Sequence, residues 1–118
     1  MKEAFKARML RIYCMETDQW KGEPLYKAIV ARCLELGIAG ATVYRGLEGF
    51  GASARIYQPH TFSISSNLPV LVCVVDTEKQ IEKLLPEVEP MLAGGLIAIS
   101  TVDAIRYLRS EQDPPASS

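Results

Sequence analysis

Around residues 8–16 the hydrophobic positions alternate. Leu10, Ile12 and Cys14 stand against Arg11, Tyr13 and Met15, the period of two expected of a strand with one well-buried face. The stretch Trp20-Lys21-Gly22-Glu23-Pro24 breaks this pattern. After it Leu25, Ala28, Ile29, Cys33 and Leu36 recur at helical spacing. Pro24 suits the first turn of a helix, where its missing N–H costs nothing, and Gly37 suits the residue just past a helix end. The spacing predicts a helix over 24–36.

Residues 40–51, GATVYRGLEGFG, read as a second strand with a glycine interruption. Gly46 in its interior suggests either a bulge or a close backbone approach. Residues 52–66 carry turn formers and scattered apolar residues without clear periodicity, so they are expected to form a mobile or functional loop. LPVLVCVVD, 68–76, is a continuous apolar run of the kind seen in a strand covered on both faces. Thr77 can cap a second helix, with Gln80 three residues on to complete a capping box. Ile81, Leu84, Leu85, Val88 and Leu92 form the apolar stripe of that helix, and Pro86 within it should kink or split it. Gly94-Gly95 ends it, and 96–108 supplies the last strand. The polar tail 111–118 is expected to be disordered, leaving 1–110 as one domain.

The order is β–α–β–β–α–β, which implies an α+β, ferredoxin-like sandwich: an antiparallel sheet with both helices on one face. Right-handed crossovers put the first and third strands side by side at the centre. Two helices cover one face only, yet the third strand is apolar on both sides. The sequence therefore points to an oligomer in which another subunit covers the second face.

With 118 residues and 48% hydrophobic content, the chain can bury a core without metal or disulfide. Thirteen basic residues balance 14 acidic ones for a net charge of −1, so no basic field suited to nucleic acid is visible. The start, MKEAFKARMLRIYC, is too often interrupted by charge to be a signal peptide, and no apolar run is long enough to insert in a membrane. Cys14, Cys33 and Cys73 lie within apolar stretches and read as core cysteines of a reducing, cytoplasmic compartment; no spacing suggests a zinc site.

Catalytic constellations are scarce. The lone histidine, His60, falls in the 52–66 loop, where a surface role is commoner than a ligand or base. The serines lack a nucleophile-elbow context, and no Walker loop or dinucleotide fingerprint occurs. No enzyme activity is expected on this reading. The glycines are more specific. Gly49-Phe50-Gly51 could let a ligand approach the backbone while the ring shields it, and amides of the Gly94-Gly95 turn could meet an anion. An ordinary bulge and an ordinary helix stop explain the same glycines, and both readings stand at this point.

GATVYRGLEGFG, the loop containing His60-Thr61, LPVLVCVVDTEKQIEKLLPEVEPML and GGLIAISTVDAIRY together resemble domain of unknown function family 190. That family is similar to the PII signalling superfamily, which includes CutA. The resemblance implies a homotrimer, a nucleotide effector bound in clefts between subunits, and a loop after the second strand that contacts a transporter or enzyme. Carried over by position, it implies ligand contacts at Thr42, Gly49, Phe50, Gly51, Gly95 and Arg109; the turn reading adds Gly94, and Arg55, Tyr57 and His60 of the 52–66 loop are the candidate partner contacts. The chain departs from PII in its phosphate-binding turn, which reads Ala93-Gly94-Gly95-Leu96 with leucine where PII has lysine. Near the C-terminus, Tyr107 replaces the first of two PII arginines and Arg109 keeps the second. The leading expectation is a PII-like sensor of a nucleotide or other small anionic effector, signalling through the 52–66 loop with no fixed cofactor. The alternative is a CutA-like trimer that binds metal or anion.

Overall fold

The structure, a computed structural model, describes residues 1–50 and 67–109. The 52–66 loop and the 111–118 tail lie outside the described residues, and with them Gly51, Arg55, Tyr57 and His60. The chain runs β1 (Lys2–Met15), β2 (Gln19–Trp20), β3 (Glu23–Pro24), α1 (Leu25–Glu35), β4 (Ala41–Arg45), β5 (Pro69–Asp76), α2 (Glu78–Val88), a 3-10 turn (Glu89–Met91) and β6 (Leu96–Tyr107). β2 and β3 form a small hairpin of their own. The other four strands make one antiparallel sheet in the order β4-β5-β1-β6. This is the expected α+β βαββαβ arrangement, with the first and third of the main strands at its centre.

Register decides what is buried. Leu10, Ile12 and Cys14 pair with Val74, Val72 and Val70, and all six belong to the core with Leu25, Ile29 and Cys33 of α1 and Ile81, Leu84 and Val88 of α2. Each fully buried aliphatic side chain of this kind contributes about 1.5–3 kcal/mol. The intervening residues of β5, Leu71, Cys73 and Val75, are only half-buried, because both helices lie on the other face. Tyr13 and Tyr44 also stand exposed, so this second face of the sheet is open in the single chain.

β1 starts well before residue 8, where its alternation becomes visible. β5 pairs with β1 only from Arg8 onward, whereas Lys2–Ala7 pair with β6 alone, from Tyr107 to Val102. The residues of this two-stranded ribbon are mostly exposed, and nothing selects for alternation there. A Lys6–Asp103 ion pair of 2.6 Å and the Arg106 guanidinium, 5.0 Å over the Phe5 ring, lie along it.

β4 stops at Arg45 and does not continue to residue 51. The Gly46 N–H donates to the Pro69 carbonyl at 2.7 Å, and a Cβ on Gly46 would lie 2.9 Å from Pro69 Cγ. Of the two readings of this glycine, the close approach holds. Pro24 sits in β3 and caps α1 from outside with ψ 131°, so it is not in the first helical turn. Gly37 does end α1, at φ 73°.

Thr77 caps α2, its hydroxyl accepting from the Gln80 N–H at 3.3 Å, but the reciprocal half of a capping box is absent. Gln80 instead donates through Nε2 to the Gly37 carbonyl at 3.1 Å, tying the start of α2 to the end of α1. The buried Asp76 carboxylate completes this junction, accepting from the Ala39 N–H at 2.9 Å and the Thr77 N–H at 2.7 Å. Pro86 does not split α2, which continues to Val88 before tightening into the 3-10 turn. Pro86 and Glu82, whose carbonyl the proline leaves unbonded, are both exposed, so water can satisfy that group.

At the start of β6, Gly95 has φ 149°, and a Cβ there would stand 2.6 Å from the Tyr13 carbonyl oxygen. Gly94 has open space around it. Gly95→Ala should therefore cost about 2 kcal/mol or more, from strain and a backbone clash, while Gly94→Ala stays within about 0.5 kcal/mol of wild type. Urea unfolding of the two variants checks this contrast. The same measurement should find Asp76→Asn costlier than Thr77→Ala. The first sets one N–H of a part-buried contact against an amide donor at a buried side chain, for about 1.5–3 kcal/mol, and the second loses a cap worth about 1 kcal/mol.

Candidate functional site

A pocket of about 710 Å³ opens where β1 ends and β5 and β6 begin. The turn after β1 supplies Met15, Asp18 and Gln19, and the turn before β6 supplies Ala93, Gly94, Gly95 and Leu96. Tyr13, Cys14, Leu25, Pro69 and Met91 line it from the sheet and helix layer, and Phe50 and Asn67 complete the wall.

Local sequence explains each part. Asp18 makes a side-chain turn, its Oδ2 accepting from the Met15 N–H at 2.9 Å, while its own N–H donates to the Met15 carbonyl at 3.0 Å. The Leu25 N–H donates to the Asp18 carbonyl at 2.8 Å, which fastens the β2–β3 hairpin to this turn. Lys21 at φ 49° and Gly22 at φ 83° provide the two positive-φ residues a tight hairpin needs. On the other side, Glu16 N–H donates to the Leu68 carbonyl at 2.8 Å and Thr17 N–H to Asn67 Oδ1 at 3.2 Å. The absence of a side chain at Gly95 lets the 93–96 turn lie directly against the β1 backbone.

The electrostatics differ from those of a phosphate cradle. Asp18 is the only Asp, Glu, Lys or Arg among the described lining residues. Cys14 is pushed up to about 11, first by burial and then by the nearby negative charge of Asp18, so its thiol keeps its proton at neutral pH. Burial also raises Cys33. Among the described residues, no group of three or more His, Cys, Asp or Glu is placed to hold a metal.

Of the site residues expected from sequence, Phe50, Gly94 and Gly95 meet at this pocket. Gly49 lies just outside it, against Pro69, whose Cγ would be 3.1 Å from a Cβ at that position. Thr42 is exposed on β4, paired with Cys73 and away from the pocket. Arg109 is exposed beyond the far end of β6, since Leu96 pairs with Tyr13 but Tyr107 pairs with Lys2. At about 3.3 Å per residue, that separation is roughly 40 Å, so Arg109 cannot reach the pocket of its own chain. Asp18, Gln19 and Asn67 were not singled out by motif. An aspartate just after a strand and an asparagine just before an apolar run are turn signals, which is the cue that was there to be read.

Comparison with known proteins agrees with this architecture. Residues 7–104 match the model of the DUF190 family, described as "Uncharacterized ACR". A UPF0166 protein of Aquifex aeolicus is 36% identical over 100 residues, covering 85% of this chain and 94% of the relative. Among solved structures, CPII of Thiomonas intermedia K12, a nitrogen regulatory PII-like protein bound to ADP, AMP and bicarbonate, superposes with a TM-score of 0.66 at 14% identity, covering 86% of this chain and 91% of that one. The divalent ion tolerance protein CutA1 of Ehrlichia chaffeensis gives 0.51 at 15% identity, covering 83% and 80%. The fold is thus PII-like, and by sequence the chain belongs to the DUF190 family.

Proposed function

We propose that this chain is a PII-like regulatory protein that binds a nucleotide effector in the pocket at the β1–β5–β6 pole and passes its occupancy to a transporter or enzyme through the 52–66 loop. The observation that carries this reading is the position of Phe50 and Asn67. These residues flank the 51–66 segment on either side, and both stand in the pocket wall. A ligand there touches both roots of the segment at once, so it has the differential contact that a two-state loop needs. The ADP and AMP bound to CPII support the choice of ligand class on a shared fold.

Among the described residues the wall carries no cationic side chain, so charge for a phosphate group would come from outside these lining residues. In the homotrimer we propose, the open sheet face is covered by neighbouring copies and Arg109 of one copy reaches the pocket of the next. Such a guanidinium contributes on the order of 1.5–3 kcal/mol to phosphate binding.

On the full chain, ADP and AMP should raise the melting temperature by several degrees, since a hundredfold excess over Kd stabilises by about 2.7 kcal/mol. Arg109→Ala should weaken ADP about tenfold while leaving adenosine unchanged, and ligand should alter the rate of tryptic cleavage after Arg55 severalfold. No shift with any nucleotide at millimolar concentration overturns the proposal.

Cys14 gives an internal reporter. Its thiol stays protonated in the folded chain to about pH 11, against 9.0 for a free cysteine. Between those values the unfolded chain has lost a proton that the folded chain keeps, so this group's contribution to stability falls as pH rises from about 9 to about 11. Alkylation of Cys14, followed by mass spectrometry, should accelerate steeply over that range and be suppressed by bound nucleotide.

A further inference from the structure

Asp18 and Asn67 are neighbours through Thr17, and each has one polar atom committed to the backbone. Asp18 Oδ2 accepts from the Met15 N–H, so Oδ1 is left as an acceptor. Asn67 Oδ1 accepts from the Thr17 N–H, which fixes the orientation of the amide and leaves its NH₂ as a donor. Among the described residues neither remaining group has a recorded partner, and both residues line the pocket. The rest of the wall is largely apolar, with Met15, Leu25, Met91 and Leu96 able to hold a flat ring. Asp18 also makes the wall unfavourable to a second negative group placed against it.

We propose that Asp18 and Asn67 select a heteroaromatic base that carries an amino group beside a ring nitrogen acceptor. Asp18 accepts from the exocyclic amine and Asn67 donates to the adjacent ring nitrogen. An oxo base reverses both contacts: its carbonyl meets the carboxylate, and its ring N–H meets the asparagine NH₂. The inference rests on the effector reading of the same pocket and adds to it which base edge the pocket accepts. Discrimination by polar mismatch in a partly desolvated site is strong, because each unpaired group loses its hydration without replacement.

The test is calorimetry of AMP against IMP, which differ at that edge, on the full chain and two variants. Wild type should prefer AMP by about 30-fold or more, the effect of two mispaired groups at 1–3 kcal/mol each. Asp18→Asn keeps the turn, because the new carbonyl can still accept from Met15, but it presents an amide donor to the ligand. The preference should then collapse or invert toward IMP. Asn67→Asp keeps the Thr17 contact and turns the free donor into an acceptor, so AMP should weaken about tenfold. Melting temperatures of both variants confirm that they are folded, and the wild-type ratio stands without them. Equal affinity of wild type for AMP and IMP overturns the inference while leaving the effector reading intact, as does an AMP:IMP ratio unmoved by Asp18→Asn. Failure of AMP and IMP alike to bind wild type at millimolar concentration overturns both.

Discussion

The pairing of β1 with β5 places Leu10 opposite Val74, Ile12 opposite Val72 and Cys14 opposite Val70, and every other feature of the molecule follows from that register. A slip of one residue would turn these side chains to the open face and present Arg11 to the helix layer. The same register sets where the strands end. Met15 lies beside Pro69, and Tyr13 lies beside Leu96 on the other flank, so the turns leaving β1 and entering β5 and β6 converge at one pole. The pocket is the space these turns leave. Its shape is a consequence of the core rather than an addition to it. Gly95 then allows the β6 turn to close against the Tyr13 carbonyl without forcing the ladder apart.

What the sequence revealed was the part of the fold with a two-sided environment. β5 and the section of β1 that pairs with it read clearly, because packing against helices imposes a period of two on one face. The two helices read clearly for the analogous reason. The first residues of β1 carried no such signal, since only β6 lies beside them. Gln80 was legible as a capping residue but not as the link to Gly37, because that contact joins elements 43 residues apart. Phe50, Gly94 and Gly95 stood out in the sequence through their chemistry, and the structure brings the three to the wall of one pocket. The distance between Gly95 and Arg109 was not legible, because adjacent motif positions on one strand give no sense of which end of the sheet each occupies.

The charge of the pocket refines what the resemblance to PII implied. The position that the resemblance aligns with the PII phosphate-binding lysine is Leu96 here, 60% exposed at the rim, and Asp18 is the one formal charge among the described wall residues. A site with this balance gains most from the uncharged, flat portion of a ligand. Burial of ring surface against Met15, Leu25 and Met91 scales with apolar area, whereas attraction between a phosphate and a distant cation falls within a Debye length of about 8 Å in physiological salt. In the effector reading proposed above, specificity resides in the base edge, and the phosphate depends on a cation outside the described wall.

That division has a consequence for signalling. Asn67 is held by Thr17 and opens directly into the 51–66 segment, and Arg45, the last residue of β4, is paired with Glu16 across the root of the same segment. Glu16 also donates its N–H to Leu68, so the turn after β1 holds both the exit from β4 and the entry to β5. Under the proposed reading, a ligand that engages Asp18 would act on this turn, and through Thr17 and Glu16 on both roots of the loop. Because the turn is short and fixed by hydrogen bonds at Met15, Asp18 and Leu25, a small displacement there cannot be absorbed locally. The contacts that would pass it on are those of Asn67 and of the Glu16–Arg45 pair. In the effector reading proposed above, coupling would need no motion of the core: the register of β1 and β5 can stay fixed while the contacts at Asn67 and at the Glu16–Arg45 pair carry the change.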